Sequence, residues 1–367
     1  MMDSGTDTFR SSDASAQSIK DLLQPYAQKK LLLPLLILFG DALIYGTLLV
    51  GAVALHAYWQ RFLCGALSGF AIGMLFVVGH DACHGSYTQH KWLNHLLGRI
   101  AFLPSLHAFS TWNLGHNRIH HRYTNLKSED YVWRPYSKHE FDSLPSRRQW
   151  LEKLYRTSAG LGFYYMFEIW WKKIMFPNRR EVPKYRAIYF WDSCLVALFL
   201  CLQIPGMIWL GNRVGTYWLD TVIFGIALPF VSWNWIMGFV IFQHHTHPSV
   251  AWFDDAKEWR YWESQIAGTT HVRFPKLLSL LMHNIMEHTA HHALTSVPLY
   301  NLIKAQSAIE MGFTGRVKVI PWTVEEFINT VKRCKLYDYE RHVWLDFAGN
   351  TTSEPTVAAS SALNSQS

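Results

Sequence analysis

Four long apolar stretches govern what this 367-residue chain can become. A helix needs about 20 apolar residues to cross a bilayer core. Residues 31–55, 62–79, 187–210 and 221–242 meet or approach that length. They form two neighbouring pairs, each joined by a short connection. Buried helices of a soluble protein are the bland alternative, but two such hairpins fit a bilayer better. The expected fold class is therefore all-α: a multi-pass membrane protein with four transmembrane helices. Half of the residues are hydrophobic. The near-zero mean hydropathy averages these stretches with strongly charged ones.

Charge sets the orientation. Fifteen Lys and Arg fall between Asn113 and Arg186, whereas the two short connections hold Arg61 and Arg213. The positive-inside rule then puts both termini and the long central segment in the cytoplasm. The net charge of +7 has the same explanation, so no nucleic-acid partner is expected. Residues 1–20 are rich in Ser, Asp and Thr and lack the basic start and apolar core of a signal peptide. They read as a disordered tail, as do residues 349–367, leaving 21–348 as one domain. Residues 100–109 are apolar but too few to span. Residues 163–176, with Trp170, Trp171, Lys172 and Lys173, suit a helix in the headgroup region. Asp41 and Asp192 lie within spans. Intramembrane carboxylates often mark function, although a polar cavity or an interface is the more ordinary reason for them.

Histidine is the outlier, with 19 in the chain. Residues 80–84 read HDACH, 116–121 read HNRIHH and 288–292 read HTAHH; a fourth group, 243–248, reads QHHTHP. Following the chain through the four spans puts every group on the cytoplasmic side, and two begin within two residues of a returning span. Positions i, i+3 and i+4 of a helix are neighbours. His80 with His84, His116 with His120, and His288 with His291 and His292 are thus each expected to share a face. Isolated histidines such as His56, His90, His107 and His342 read as structural.

The three boxes alone supply eight imidazoles. One tetrahedral zinc takes four ligands, so two metals fit better. Imidazole suits Zn, Cu, Fe and Ni alike, and spacing does not choose among them. No Glu-x-x-His occurs, which argues against a ferritin-like carboxylate site. The five cysteines are scattered with no CxxC pair, so neither a disulfide framework nor a thiolate zinc site is expected. A metal transporter or sensor is a rival from another class, but it would place ligands at mid-membrane, and the proposed spans contain no histidine.

These boxes resemble those of the membrane fatty acid desaturase family: HxxxH, HxxHH or HxxxHH, and HxxHH, in order around two pairs of spans. The resemblance runs from about Leu31 to Lys335. His245-Thr246-His247-Pro248-Ser249, Asp254 and Glu258-Trp259 are similar to the stretch after the fourth span in acyl-lipid delta-12 and omega-3 members. So are His283-Asn284-Ile285, Pro298-Leu299-Tyr300, and Ala305 to Ile309. Plant members commonly have Cys-Gly-His in box one, where this chain has Ala82-Cys83-His84, and box two is one residue longer here. The boxes are shared with related hydroxylases and ketolases, which stand as the alternative activity.

The resemblance implies two iron ions in a non-heme di-iron centre within a cytosolic helical cap. The implied ligands are His80, His84, His116, His120, His121, His288, His291 and His292, with a further one from the segment after the fourth span. His245 aligns best there, and His244 and His247 are its rivals. Asp81, Asn284, His244 and His247 are candidates to orient the ligands, as carboxylates often do for metal-bound histidines. No catalytic residue beyond the metal centre is expected. Molecular oxygen would be co-substrate and a membrane-lipid acyl chain the substrate, gaining a cis double bond. No His-Pro-Gly-Gly motif and no cysteine set for an iron–sulfur cluster is present. A separate electron donor, ferredoxin or cytochrome b5, is therefore implied.

Overall fold

A computed structural model describes residues 14–175 and 187–357. It begins with α1 (Ala14–Leu23), followed by the first two apolar helices, α2 (Leu32–Ala54) and α3 (Tyr58–His84). At about 1.5 Å per residue, the 27 residues of α3 reach roughly 40 Å, about 10 Å more than a hydrocarbon core. The surplus carries His80 and His84 on the same rigid rod as the span. Helix α3 ends where Gly85 adopts φ +69°, a left-handed cap that glycine takes without strain. Between the two hairpins lie α4 (Lys91–Phe102), α5 (Phe109–Asn113), α6 (Lys138–Asp142), α7 (Ser146–Tyr155) and α8 (Leu161–Tyr164). Wider π-helical turns extend α5 over Leu114–His120 and α8 over Tyr165–Met175.

The second hairpin is α9 (Ala187–Arg213), then α10 (Trp218–Val222) running through a π turn into α11 (Leu228–His245). All four candidate spans are long and apolar enough to cross a membrane. The second and fourth run past the expected ends at Gly79 and Phe242, because the helices continue into the histidine segments. Helix α11 packs along α3 at small residues: a Cβ on Gly69 would lie 2.5 Å from that of Ser232. Close backbone approach through glycine and serine is how helices associate where lipid provides no hydrophobic drive. The outer faces stay apolar, with Leu36, Phe39, Leu43, Phe62, Leu198 and Leu202 exposed.

After a π-helical segment at Trp262–Ile266 come α12 (Lys276–Leu281), α13 (His288–Ala293), α14 (Leu302–Gly312) and α15 (Val324–Arg333). The fold is mostly helical rather than purely so. Strand β1 (His271–Arg273) pairs in parallel with β2 (Val319–Pro321), and β3 (Leu336–Asp338) pairs antiparallel with β4 (Val343–Leu345). These elements gather at the histidine-bearing ends of α3 and α11. There the Leu299 amide donates to Asp81 at 2.6 Å and the Thr270 amide to the His244 carbonyl at 3.1 Å.

Part of each expected tail is structured. Helix α1 covers Ala14 to Lys20 and buries Ile19 and Leu23 in the core shared with α13 and α14. Residues 1–13 lie outside those described. At the other end, Thr352 and Thr356 donate backbone bonds to Trp344 and His342, and the Ser353 hydroxyl caps the Trp344 amide. Residues 349–357 are thus packed, and 358–367 are outside the described set. Small polar residues look like a tail in composition, yet they supply the hydrogen bonds that finish a sheet edge.

The two carboxylates within spans are each paired. Asp192 accepts from Arg99 at 2.7 Å and from the Ser110 amide at 2.9 Å, tying α9 to α4 and α5. Asp41 lies 2.7 Å from His283 Nε2. Residues 163–175 form a surface helix, with Phe163, Phe167 and Trp171 exposed and Tyr165, Ile169 and Trp170 buried; Phe176 is outside the described residues.

Candidate metal centre

Nine imidazoles converge in two groups. His80, His84, His116, His121 and His291 form one; His120, His245, His288 and His292 form the other. Within each group the candidate ligand atoms lie within 4.8 Å of one another. The nine are the residues that the resemblance implies, and His245 rather than His244 or His247 stands among them.

Their partition does not follow from the boxes. Box one stays together, since His80 and His84 sit four apart on α3, about 40° apart around the axis. Box two lies in the π turn, where the His121 amide bonds back five residues to the His116 carbonyl at 2.9 Å. That wider turn lets His116 and His121 converge in one group, while His120, whose ring still stacks 5.5 Å from that of His116, serves the other. In box three, His288 and His292 are again about 40° apart and stay together. His291 projects to the first group instead. The two groups abut where His121 stacks on His292, ring centroids 4.3 Å apart.

The geometry fits cations. His116 Nε2 is 2.8 Å from His80 Nε2 and 3.1 Å from His121 Nε2, which in turn is 3.1 Å from His291 Nε2. In the second group, His245 Nε2 is 3.1 Å from His120 Nε2 and 2.9 Å from His288 Nε2. Facing lone pairs repel unless a proton or a metal lies among them. Nitrogens each about 2.1 Å from one cation would sit about this far apart. His84 Nε2 and His292 Nε2 are buried without a hydrogen-bond partner among the described residues. Burial, and then crowding by neighbouring imidazoles, pushes His116, His121, His288, His291 and His292 well below the usual histidine range. They are neutral, as metal ligation requires.

Outer contacts orient the rings. Asp81 Oδ1 lies 3.3 Å from His80 Nδ1. Asp130, buried and held by the amides of Asn125 and Val132, accepts from His120 Nδ1 at 3.0 Å. Gln265 Oε1 lies 2.9 Å from His292 Nδ1 while its amide donates to the His121 carbonyl. Sequence reasoning misses Asp130 and Gln265. Asp130 sits in a loop and Gln265 in the short π-helical segment Trp262–Ile266, both outside the boxes they support, and no spacing rule points to them. Two candidates fall away. Asn284 bonds the Leu299 carbonyl and lies beside Ser279, not an imidazole. His247 turns outward to Ser249 and Glu326, because α11 ends at His245. His244 stacks flat on His288 at 3.5 Å and supports that ring.

Beneath the imidazoles runs an apolar channel. His80, His116, His120, His245 and His288 face it, so both groups reach its interior. The remaining lining is almost entirely aliphatic and aromatic.

Four apolar helices, paired imidazole groups and an apolar channel define a membrane protein organised around a histidine-rich centre that can hold metal. Residues 56–316 match the fatty acid desaturase family, and the chain belongs to it. It is 29% identical over 291 residues to an sn-1 oleoyl-lipid 12-desaturase of Picosynechococcus sp., covering 77% of this chain and 78% of that one. It is 28% identical over 279 residues to a chloroplastic omega-6 fatty acid desaturase of Glycine max, covering 75% and 62%. A third relative, the sn-1 oleoyl-lipid 12-desaturase of Arthrospira platensis, is 31% identical over 64% of each chain. The chain is thus a fatty acid desaturase by class.

Proposed function

We propose that this chain is an oxygen-dependent acyl-lipid desaturase that introduces a cis double bond into an oleoyl-like chain. The observation that carries this reading is the apolar channel capped by imidazoles of both groups. A long acyl chain fits such a space, and a polar or charged group does not. The names of the relatives favour the omega-6 or 12 position.

In this reading two iron ions are held, one by His80, His84, His116, His121 and His291, the other by His120, His245, His288 and His292. Bound iron would supply the oxidising power needed to activate oxygen against an unactivated methylene pair, which no side chain provides. The protein contributes geometry. Helix α3 and the π turn fix the imidazoles, Asp130 and Gln265 hold two rings by their Nδ1 atoms, and the apolar wall excludes water and positions one carbon pair. Removal of two hydrogens with reduction of oxygen to two waters consumes two electrons and two protons. The electrons come from a separate donor, ferredoxin or cytochrome b5, drawn by the basic residues of the central segment. The positive-inside bias supports a cytoplasmic position for that segment, the centre and both termini.

Expression in a host containing only saturated and monounsaturated lipids tests this. New double bonds in fatty acid analysis are expected. Hydroxylated chains would favour the hydroxylase or ketolase alternative. An unchanged profile, with iron loaded and a working donor, would sink both.

A further inference from the structure

We propose that the channel opens sideways into the bilayer between α3, α11 and α12, and that substrate enters there as an intact diacyl membrane lipid whose headgroup stays in the interface. This rests on the acyl-lipid reading and adds the route and the residues that form it.

Leu281 marks the mouth, for it both lines the channel and is 41% exposed. On the same six-residue helix, Leu277 is 71% and Leu280 48% exposed. Three outward leucines behind Lys276 suit a short helix dipping into acyl tails with its lysine at headgroup level. Along the adjoining side, Phe70 and Gly73 of α3 and Ile236 of α11 line the channel and are only half-buried. Gly73 keeps this wall thin. A Cβ there would meet nothing nearer than the Trp233 ring, at 3.4 Å.

The other end is blind. Trp112 and Tyr165 are buried, and the Tyr165 hydroxyl lies 2.7 Å from His107 Nε2. No lysine or arginine lines the channel among the described residues. A water-soluble thioester, with its phosphates, would call for one. The mouth is therefore apolar and faces the surface that lipid covers.

Its floor is braced. His283 and Asn284 have φ of +50° and +60°, a conformation non-glycine residues hold only when surroundings demand it. His283 is tied to Asp41 of α2 and Asn284 to the Leu299 carbonyl. These anchors present Met282 and Ile285, on either side, to the channel. The buried Asp41 carboxylate thereby shapes the mouth from a neighbouring span.

The test uses the full chain, iron-loaded, in phosphatidylcholine vesicles bearing a diazirine on the acyl chain. Irradiation should label peptides of α12 and the turn after it, and of the blind end around Trp112 and Tyr165. Gly73→Leu should cut blind-end labelling by about tenfold, the scale on which a pocket discriminates small changes in bulk, with iron content and melting temperature retained. The double variant Leu277→Lys/Leu280→Lys, on an exposed face, should lower labelling without touching the channel wall. Labelling that neither variant reduces would overturn the proposal, as would equal blind-end labelling by a diazirine acyl-CoA added from water. The two readings fail separately. If both variants turn over at the wild-type rate while double bonds still form, only the portal falls. If the channel is labelled but no double bond ever forms, only the desaturase reading does.

Discussion

The two imidazole groups are built to different standards of support. In the first, His84 and His116 are only half-buried, and Asp81 is 3.3 Å from His80. In the second, all four imidazoles are buried. There, Asp130 holds His120 and Gln265 holds His292 through their Nδ1 atoms at 3.0 and 2.9 Å. A ring fixed at one nitrogen presents the other in a set tautomer and direction. The second group is therefore the more preorganised, and the first the more accessible to exchange.

Ligand removal should have the largest effect. His120→Ala is expected to empty the second group and His291→Ala the first, each costing more than the roughly 10–100-fold typical of outer partners. Iron per protein and product per iron read this out. Full iron content in either variant would break the assignment of ligands.

Asp130→Asn comes next. It should cost roughly 10–100-fold in metal affinity, with Asp81→Asn at the lower end of that range. Timed removal of iron by a chelator sharpens the point, since one iron should leave faster in the wild type. Equal losses for the two variants would erase the contrast between the groups.

Acid should act on the metal-free protein. His116, His121, His288, His291 and His292 are held below the usual histidine range. The unfolded chain therefore binds protons that the folded one refuses. Stability is retained above about pH 6.5 and declines as pH falls below it. Melting temperatures at pH 8 and pH 5.5 should differ in that direction, and equal values would contradict neutral burial.

The smallest effect belongs to His247→Ala. It removes a contact with the partly exposed Glu326 at 3.2 Å, worth less than about 1 kcal/mol. Iron content should be unchanged, whereas a loss of iron would return His247 to the ligand set.

Much of this architecture is legible in the sequence. The four spans follow from local hydropathy, and the boxes from spacing along covalent backbone. Resemblance favours His245 over its neighbours, and the helix end at His245 explains why His247 points elsewhere. The tails escape a reading by composition because Ile19, Leu23, Ser353 and Thr356 gain partners that composition does not reveal. Asn284 stands near box three in the chain, which makes it look like a support for the centre. It braces the channel mouth instead.

Sequence alone determined that helices would cross a membrane and bring histidines to one end, because helix length and periodicity are properties of a single segment. Only the tertiary structure decided which imidazole joins which group. That choice depends on a π turn, on about 60° of rotation between His288 and His291, and on Asp130 and Gln265 arriving from separate segments. These are relations between segments, and no segment carries them by itself.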